Sequence, residues 1–238
     1  MKVAITRVRN EEKIIKHTLD HVGKLVDAIY VYDDFSTDKT AEICNAHPKV
    51  VKVIRGKEWA SEPIGRSEAE GTLRQAIYEE ALKCNPEWVY YFDADELADF
   101  SGIDFKADAY RLRLFDFYIT EEDKDTEWYK REWMGSEYRD ILMLFKPHPK
   151  IRFDCREPNM PDVEIKQAGF VKHYGKAISV EEWDKTCDYY INNRGGNLLP
   201  MFTDKWKARK GKAIHTQSDF GNPLIKWEDK HKGIKLNE

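Results

Sequence analysis

Residues 88–97 read WVYYFDADEL: an apolar and aromatic run that leads directly into Asp93, Asp95 and Glu96. A short, uninterrupted apolar run bounded by polar residues is the pattern of a strand buried on both faces. Such a strand ending in clustered acids needs a counter-charge, and no Lys or Arg lies between positions 84 and 105. In extended backbone alternate side chains share a side, so Asp93 and Asp95 are expected to point the same way. A hard divalent cation, Mg²⁺ or Mn²⁺, relieves that repulsion by taking carboxylate oxygens as ligands. The competing reading is a turn or helix cap opened by Asp95 or Glu96, because short acidic patterns also arise by chance.

The stretches around this strand repeat one rhythm. VAITRV (3–8) reads as a strand, followed by a helical stripe of Ile14, Ile15, Thr18, Leu19, Val22, Leu25 and Val26, with Asn10 as its N-cap. AIYVYD (28–33) and VVKVI (50–54) read as strands, with a short helix between them capped by Ser36 or Thr37 and running to Ala46. A longer helix is expected over 66–84, stopping before Asn85-Pro86. Strand and helix in alternation build βαβ units, hence an α/β fold with a mixed, mainly parallel sheet and helices on both faces. After residue 100 the rhythm breaks. AYRLRLFDFYI (109–119), ILMLF (141–145) and FVKHY (170–174) read as strands joined by long loops, and Ser179 with Glu182 forms a capping box for a last helix carrying Trp183, Cys187 and Tyr190. No linker divides the chain, so a single domain over 1–238 is expected, with a nucleotide-binding half (1–100) and an acceptor-binding half (101–238).

Ligands of open α/β sheets bind beyond the carboxyl ends of the strands. Two acidic clusters sit at such ends: Asp33, Asp34 and Asp38 in VYDDFSTD, and the FDADE acids. Capping accounts for Ser36, Thr37 and Asp38 but does not require Asp33-Asp34, which could accept hydrogen bonds from a base or a ribose. No G-x-G-x-x-G and no G-x-x-x-x-G-K-[ST] occurs. A bound nucleotide diphosphate would therefore need a metal, the task assigned to Asp93 and Asp95.

Composition narrows the class. A net charge of −4 argues against nucleic acid as a partner, although residues 203–238 are locally basic, as in KWKARKGK. Such a run could meet an anionic surface or simply be a solvated face. Cys44, Cys84, Cys155 and Cys187 form no CxxC pair, which speaks against a disulfide framework or a zinc site. No signal-peptide pattern opens the chain and no apolar run reaches the length of a membrane span, so a soluble cytoplasmic protein is expected.

VAITRVRNEE, IYVYDDFSTDKTAEI and RSEAEGTLRQAIYEEALKCNPEWVYYFDADE, taken in order over residues 3–96, resemble the GT-A fold glycosyltransferases, especially the inverting family 2. That family opens with a strand and Asn-Glu-Glu, continues with an Asp-Asp-x-Ser-x-Asp turn, and reaches Asp-x-Asp-Glu. The resemblance implies that Asp33 and Asp34 hold base and ribose, that Thr6, Arg9 and Glu11 line the same pocket, and that Arg74 lies near the diphosphate. It implies Asp95 as the main ligand of Mn²⁺ or Mg²⁺, with Asp93 on the metal or the ribose. The donor would be a UDP-, GDP- or dTDP-linked sugar, and the acceptor a hydroxyl of a glycan, lipid or protein. Two positions depart from the pattern. TRVRN replaces Pro-x-Tyr-Asn, leaving the stacking partner of the base open, and Phe35 stands where the family has Gly, suggesting a differently shaped turn.

The second half resembles the family less closely. His173, before Tyr174-Gly175, matches a late histidine that ligates the metal or touches the diphosphate, although a surface histidine would read the same. An inverting transferase needs a carboxylate base, for which Glu157 and Asp154 in RFDCREP are the candidates. Trp128 and Trp133, with Tyr129, offer flat faces for an acceptor sugar, and equally routine core material. Other readings stay open: a sugar-nucleotide pyrophosphorylase, whose Gly-rich N-terminal loop is missing; an Asp-nucleophile phosphohydrolase, whose acids would come early in the chain; and a catalytically silent nucleotide- or sugar-binding protein on the same fold.

Overall fold

The apolar runs VAITRV, AIYVYD and WVYYF form strands because both of their faces are covered, whereas VVKVI at the sheet edge stays partly exposed. In the computed structural model, which describes residues 1–59, 63–193 and 200–236, the order begins β1 (Lys2–Val8), α1 (Ile15–Val22), β2 (Ala28–Asp33), α2 (Thr40–Ala46), β3 (Val50–Arg55). It continues α3 (Pro63–Leu82), β4 (Trp88–Tyr91), β5 (Glu96–Asp99), β6 (Ala109–Phe117), β7 (Trp133–Phe145), β8 (Arg152–Phe153), β9 (Pro158–Asn159). It ends β10 (Ile165–His173), α4 (Val180–Asn193), α5 (Pro200–Arg209), β11 (Leu224–Lys226) and β12 (Ile234–Lys235). The α/β class and the alternating first half are as expected.

The chain divides into two compact units, neither a consecutive stretch. The first comprises Met1–Ala60, Gly65–Arg113 and Asp140–Val171; the second comprises Ser61–Ile64, Leu114–Arg139 and Lys172–Glu238. In the first unit β3, β2, β1 and β4 lie side by side in parallel, and β7 continues the sheet antiparallel to β4 through Val89↔Phe145 and Tyr90↔Leu144. Val3, Ile5, Val89 and Tyr91 pack with Ile77, Tyr78 and Ala81 of α3 on one face. Ala4, Ile29 and Val31, which alternate with them, are also buried. A large apolar side chain so buried stabilises the fold by about 1.5–3 kcal/mol, and this two-sided burial keeps the strand ends in register.

In the second unit β11 pairs antiparallel with the start of β7, and β12 pairs parallel with it at Glu137 and Tyr138. Ser179 caps α4: its Oγ accepts the Glu181 and Glu182 amides at 3.1 and 3.3 Å. Tyr190 of α4 stacks on Trp206 of α5, centroids 4.2 Å apart and 9° from parallel. Part of the basic run is paired within this unit, for example Lys210 with Asp188 at 2.6 Å and Lys232 with Asp229 at 2.6 Å.

Three local expectations are corrected. Asn10 does not cap α1; it sits at φ 55°, its side-chain oxygen accepts the Thr37 amide at 2.8 Å, and its own amide donates to Ser36 Oγ at 3.0 Å. It ties the loop after β1 to the loop after β2. The residue at the start of α2 whose side chain meets a helix amide is Asp38, accepting from Thr40 at 2.9 Å, in place of Ser36 or Thr37. The backbone after β4 does not stay extended through the acids: it turns at Ala94-Asp95 and re-enters a strand, β5, at Glu96.

Candidate functional site

The carboxyl ends of β1, β2 and β4 gather the expected nucleotide-site residues in the first unit. Thr6 and Asp33 are both fully buried, and Thr6 Oγ1 and Asp33 Oδ1 have no hydrogen-bond partner among the described residues. The other oxygen of Asp33 accepts the Ser36 amide at 3.3 Å and lies 3.4 Å from Arg55 Nε. Asp34 forms an ion pair with Arg7 at 2.6 Å. Arg9 donates to the carbonyls of Asp34 and Phe35, both at 2.7 Å, and its guanidinium lies 4.0 Å from the Trp59 ring. The turn it clamps contains Phe35 at φ 55°, so this phenylalanine adopts the backbone that the family's glycine allows.

At the end of β4 the counter-charge proves to be arginine. The Asp93 carboxylate accepts from the Tyr91 hydroxyl and from Arg74 Nη2 at 3.4 Å, and lies 3.8 Å from Arg156 Nη2. Arg74 is itself buried, donating to Tyr91 Oη at 2.8 Å and pairing with Glu70 at 3.0 Å. Burial opposes its charge, but Tyr91, Asp93 and Glu70 more than offset this, so the guanidinium stays protonated. Glu96, fully buried, closes the turn by accepting the Asp93 amide at 2.9 Å and forms an ion pair with Arg156. The family resemblance set Arg74 near a diphosphate, not against Asp93, and Arg156, distant in sequence and between two presumed catalytic acids, was not expected at all.

Acid still accumulates around these pairs. Burial, and then the Asp95, Asp93 and Asp38 carboxylates, raise the Glu11 carboxyl well above its ordinary value. Carboxylates gathered round Glu11, offering only oxygen donors, suit a hard divalent cation.

The remaining candidates are placed as follows. Glu157 accepts from Arg111 at 2.7 Å and from the Leu142 amide at 3.1 Å. Asp154 is exposed and bonds to Asn159. Trp128, in the second unit, is buried edge-on to Tyr129 and Tyr174, a core position. Trp133 is half-buried at the start of β7, its ring 5.3 Å from Lys226 Nζ. His173, also in the second unit, sets Nδ1 2.5 Å from Asp116. Asp116 further pairs with Arg139 at 2.7 Å and Lys176 at 3.0 Å. Burial would raise the Asp116 carboxyl, but Lys176, His173 and Arg139 together hold it well below the usual range. A carboxylate taking Nδ1–H fixes the imidazole tautomer in which Nε2 is the acceptor. Asp116 escaped the sequence reading because a lone acid on an alternating strand looks like a solvent-facing residue.

Residues 4–103, which run from within β1 through β5, match the family described as glycosyl transferase family 2. The sequence resemblance therefore holds over the segment that carries the acid-rich strand ends. An uncharacterized protein of Mycobacterium tuberculosis is 39% identical over 106 residues, 44% of this chain and 25% of its own length. The SPbeta prophage-derived glycosyltransferase SunS of Bacillus subtilis is 30% identical over 146 residues, 61% of this chain and 31% of its own. The matches thus span between a quarter and a third of these curated relatives. Among solved structures, mannosyl-3-phosphoglycerate synthase from Rubrobacter xylanophilus aligns at 21% identity and a TM-score of 0.33, over 52% of this chain and 42% of that one. Among the described residues no helix is long and apolar enough to cross a membrane.

Proposed function

We propose that this protein is a glycosyltransferase that moves a sugar from a nucleotide diphosphate donor to an acceptor hydroxyl, with inversion and with a divalent cation, Mn²⁺ or Mg²⁺. The observation that carries the reading is the clustering of Glu11, Asp38, Asp93 and Asp95 in the family-matched segment. It is supported by Thr6 Oγ1 and Asp33 Oδ1, two buried oxygens without a hydrogen-bond partner among the described residues. Asp33 and Thr6 would meet base and ribose, with Asp34 held in place by Arg7. Arg74 fixes Asp93, and Asp93 and Asp95 would hold the cation. When bound, the cation neutralises charge on the departing diphosphate. Within its own unit His173 is suited to act as a ligand through Nε2, because Asp116 takes its Nδ1 side. The acceptor hydroxyl must lose a proton to a carboxylate. Glu157 and Asp154 are the proposed bases; to serve, Glu157 must leave Arg111 and the Leu142 amide.

Thermal-shift titration against UDP-, GDP- and dTDP-sugars, with and without Mn²⁺, tests the reading. A ligand at 100 times its dissociation constant stabilises the fold by about 2.7 kcal/mol. One nucleotide is expected to stabilise only with metal, and the effect to vanish in Asp95→Ala. No shift under any combination would remove the nucleotide and metal assignments together. Stabilisation without sugar turnover on any acceptor would favour a silent binding protein.

A further inference from the structure

We infer that Arg156 is the resident counter-cation of the acid cluster and that a divalent cation competes with it for Asp93. This rests on the proposed reading of Asp93 and Asp95 as metal ligands. The two oxygens of Asp93 face different guanidinium groups: Oδ1 lies 3.4 Å from Arg74 and Oδ2 lies 3.8 Å from Arg156. The two arginines are held very differently. Arg74 is 2% exposed and clamped by Tyr91 and Glu70 on α3. Arg156 has a side chain 26% exposed and rides on the loop between β8 and β9, strands of two residues each.

That loop is nevertheless aimed. A Cβ at Gly71 would stand 2.6 Å from the Phe153 carbonyl oxygen, so α3 touches the hairpin backbone at a glycine. Gln75, one turn on, accepts the Phe153 amide at 3.0 Å. The Phe153 ring packs edge-on to Tyr78 and Tyr91, centroids 5.8 and 6.0 Å away. The helix carrying Arg74 thus also positions Arg156. Burial opposes the Arg156 charge, while Glu96, Asp93, Tyr91 and Asp95 stabilise it, so the guanidinium is spread over the very acids a cation would use. A cation on Oδ2 of Asp93 meets this positive charge at close range, and Arg156 withdraws onto Glu96. The arginine lowers the cluster's affinity for free metal.

The test is Mn²⁺ binding to the full chain without donor, followed by electron paramagnetic resonance of the unbound ion. Wild type is expected to bind and Asp95→Ala not to bind. Arg156→Gln is expected to bind at least about tenfold more tightly, since a unit charge a few ångströms away is removed. Arg156→Lys, whose shorter ammonium keeps the charge, is expected to fall between. Affinity in Arg156→Gln that is equal to or weaker than wild type, with a native circular dichroism spectrum, overturns the inference. If Arg156→Gln fails to fold because Glu96 is left unpaired, Arg156→Lys decides: tighter binding upholds the inference, unchanged or weaker binding overturns it. Absence of Mn²⁺ binding in wild type and both arginine variants overturns the metal reading itself. Binding in wild type that ignores Arg156 overturns this inference alone.

Discussion

Phe35 sits at φ 55° and is 40% exposed, a conformation that costs an ordinary residue of order 1 kcal/mol. Arg9 pins the two carbonyls around it, so the turn is held by its neighbours rather than by its own preference. Phe35→Gly should change stability by less than about 1 kcal/mol, because relief of strain is offset by greater freedom in the unfolded chain. Phe35→Val should destabilise by about 1–3 kcal/mol, since a β-branched residue tolerates positive φ least; urea unfolding of the two variants measures both. Asp116 yields a prediction in pH. Its folded carboxyl titrates below its unfolded value, so its contribution is complete above the unfolded range near pH 4 and lost as pH falls through the folded one. Asp116→Asn should lower the melting temperature at pH 7, by an amount corresponding to about 3–5 kcal/mol for a broken buried pair. The same variant should show a shallower loss of stability on acidification than wild type.

At the scale of elements, the contact between α3 and the β8–β9 hairpin is the least forgiving. Gly71→Ala must displace backbone rather than a flexible side chain, and is expected to cost about 1–3 kcal/mol by overpacking. In the same variant Mn²⁺ affinity should change, because the hairpin that carries Arg156 is moved. The elements legible in the sequence were those whose own residues define them. WVYYF and AIYVYD read as strands because burial on both faces demands unbroken apolar runs, and Ser179 with Glu182 is a local cap. β5 was missed because four residues beginning with buried Glu96 carry no alternation to read. Asn10 was misread because a cap and a loop-to-loop tie ask for the same side chain. Arg156 was invisible because its partners lie 60 positions away and pairing at that separation leaves no local pattern.

For the whole molecule, the family-matched segment and the first unit are not the same object. Residues 140–171 complete that unit, supplying Leu144 and Phe145 to the free side of β4 and the hairpin that presses on α3. A fragment ending at residue 113 should therefore lack a fixed core, which poor chemical-shift dispersion in its nuclear magnetic resonance spectrum would reveal; a well-dispersed spectrum would contradict this. Sequence reasoning recovered the parallel half because βαβ order is written locally, whereas which later strand covers β4 is not. The same interleaving bears on how the chain is made. On the ribosome, at about 5–20 residues per second, β4 emerges seconds before the segment that covers its edge. Through that interval the nascent chain presents an aromatic strand with one edge open, the kind of surface that chaperones engage and that neighbouring polysomal copies could capture.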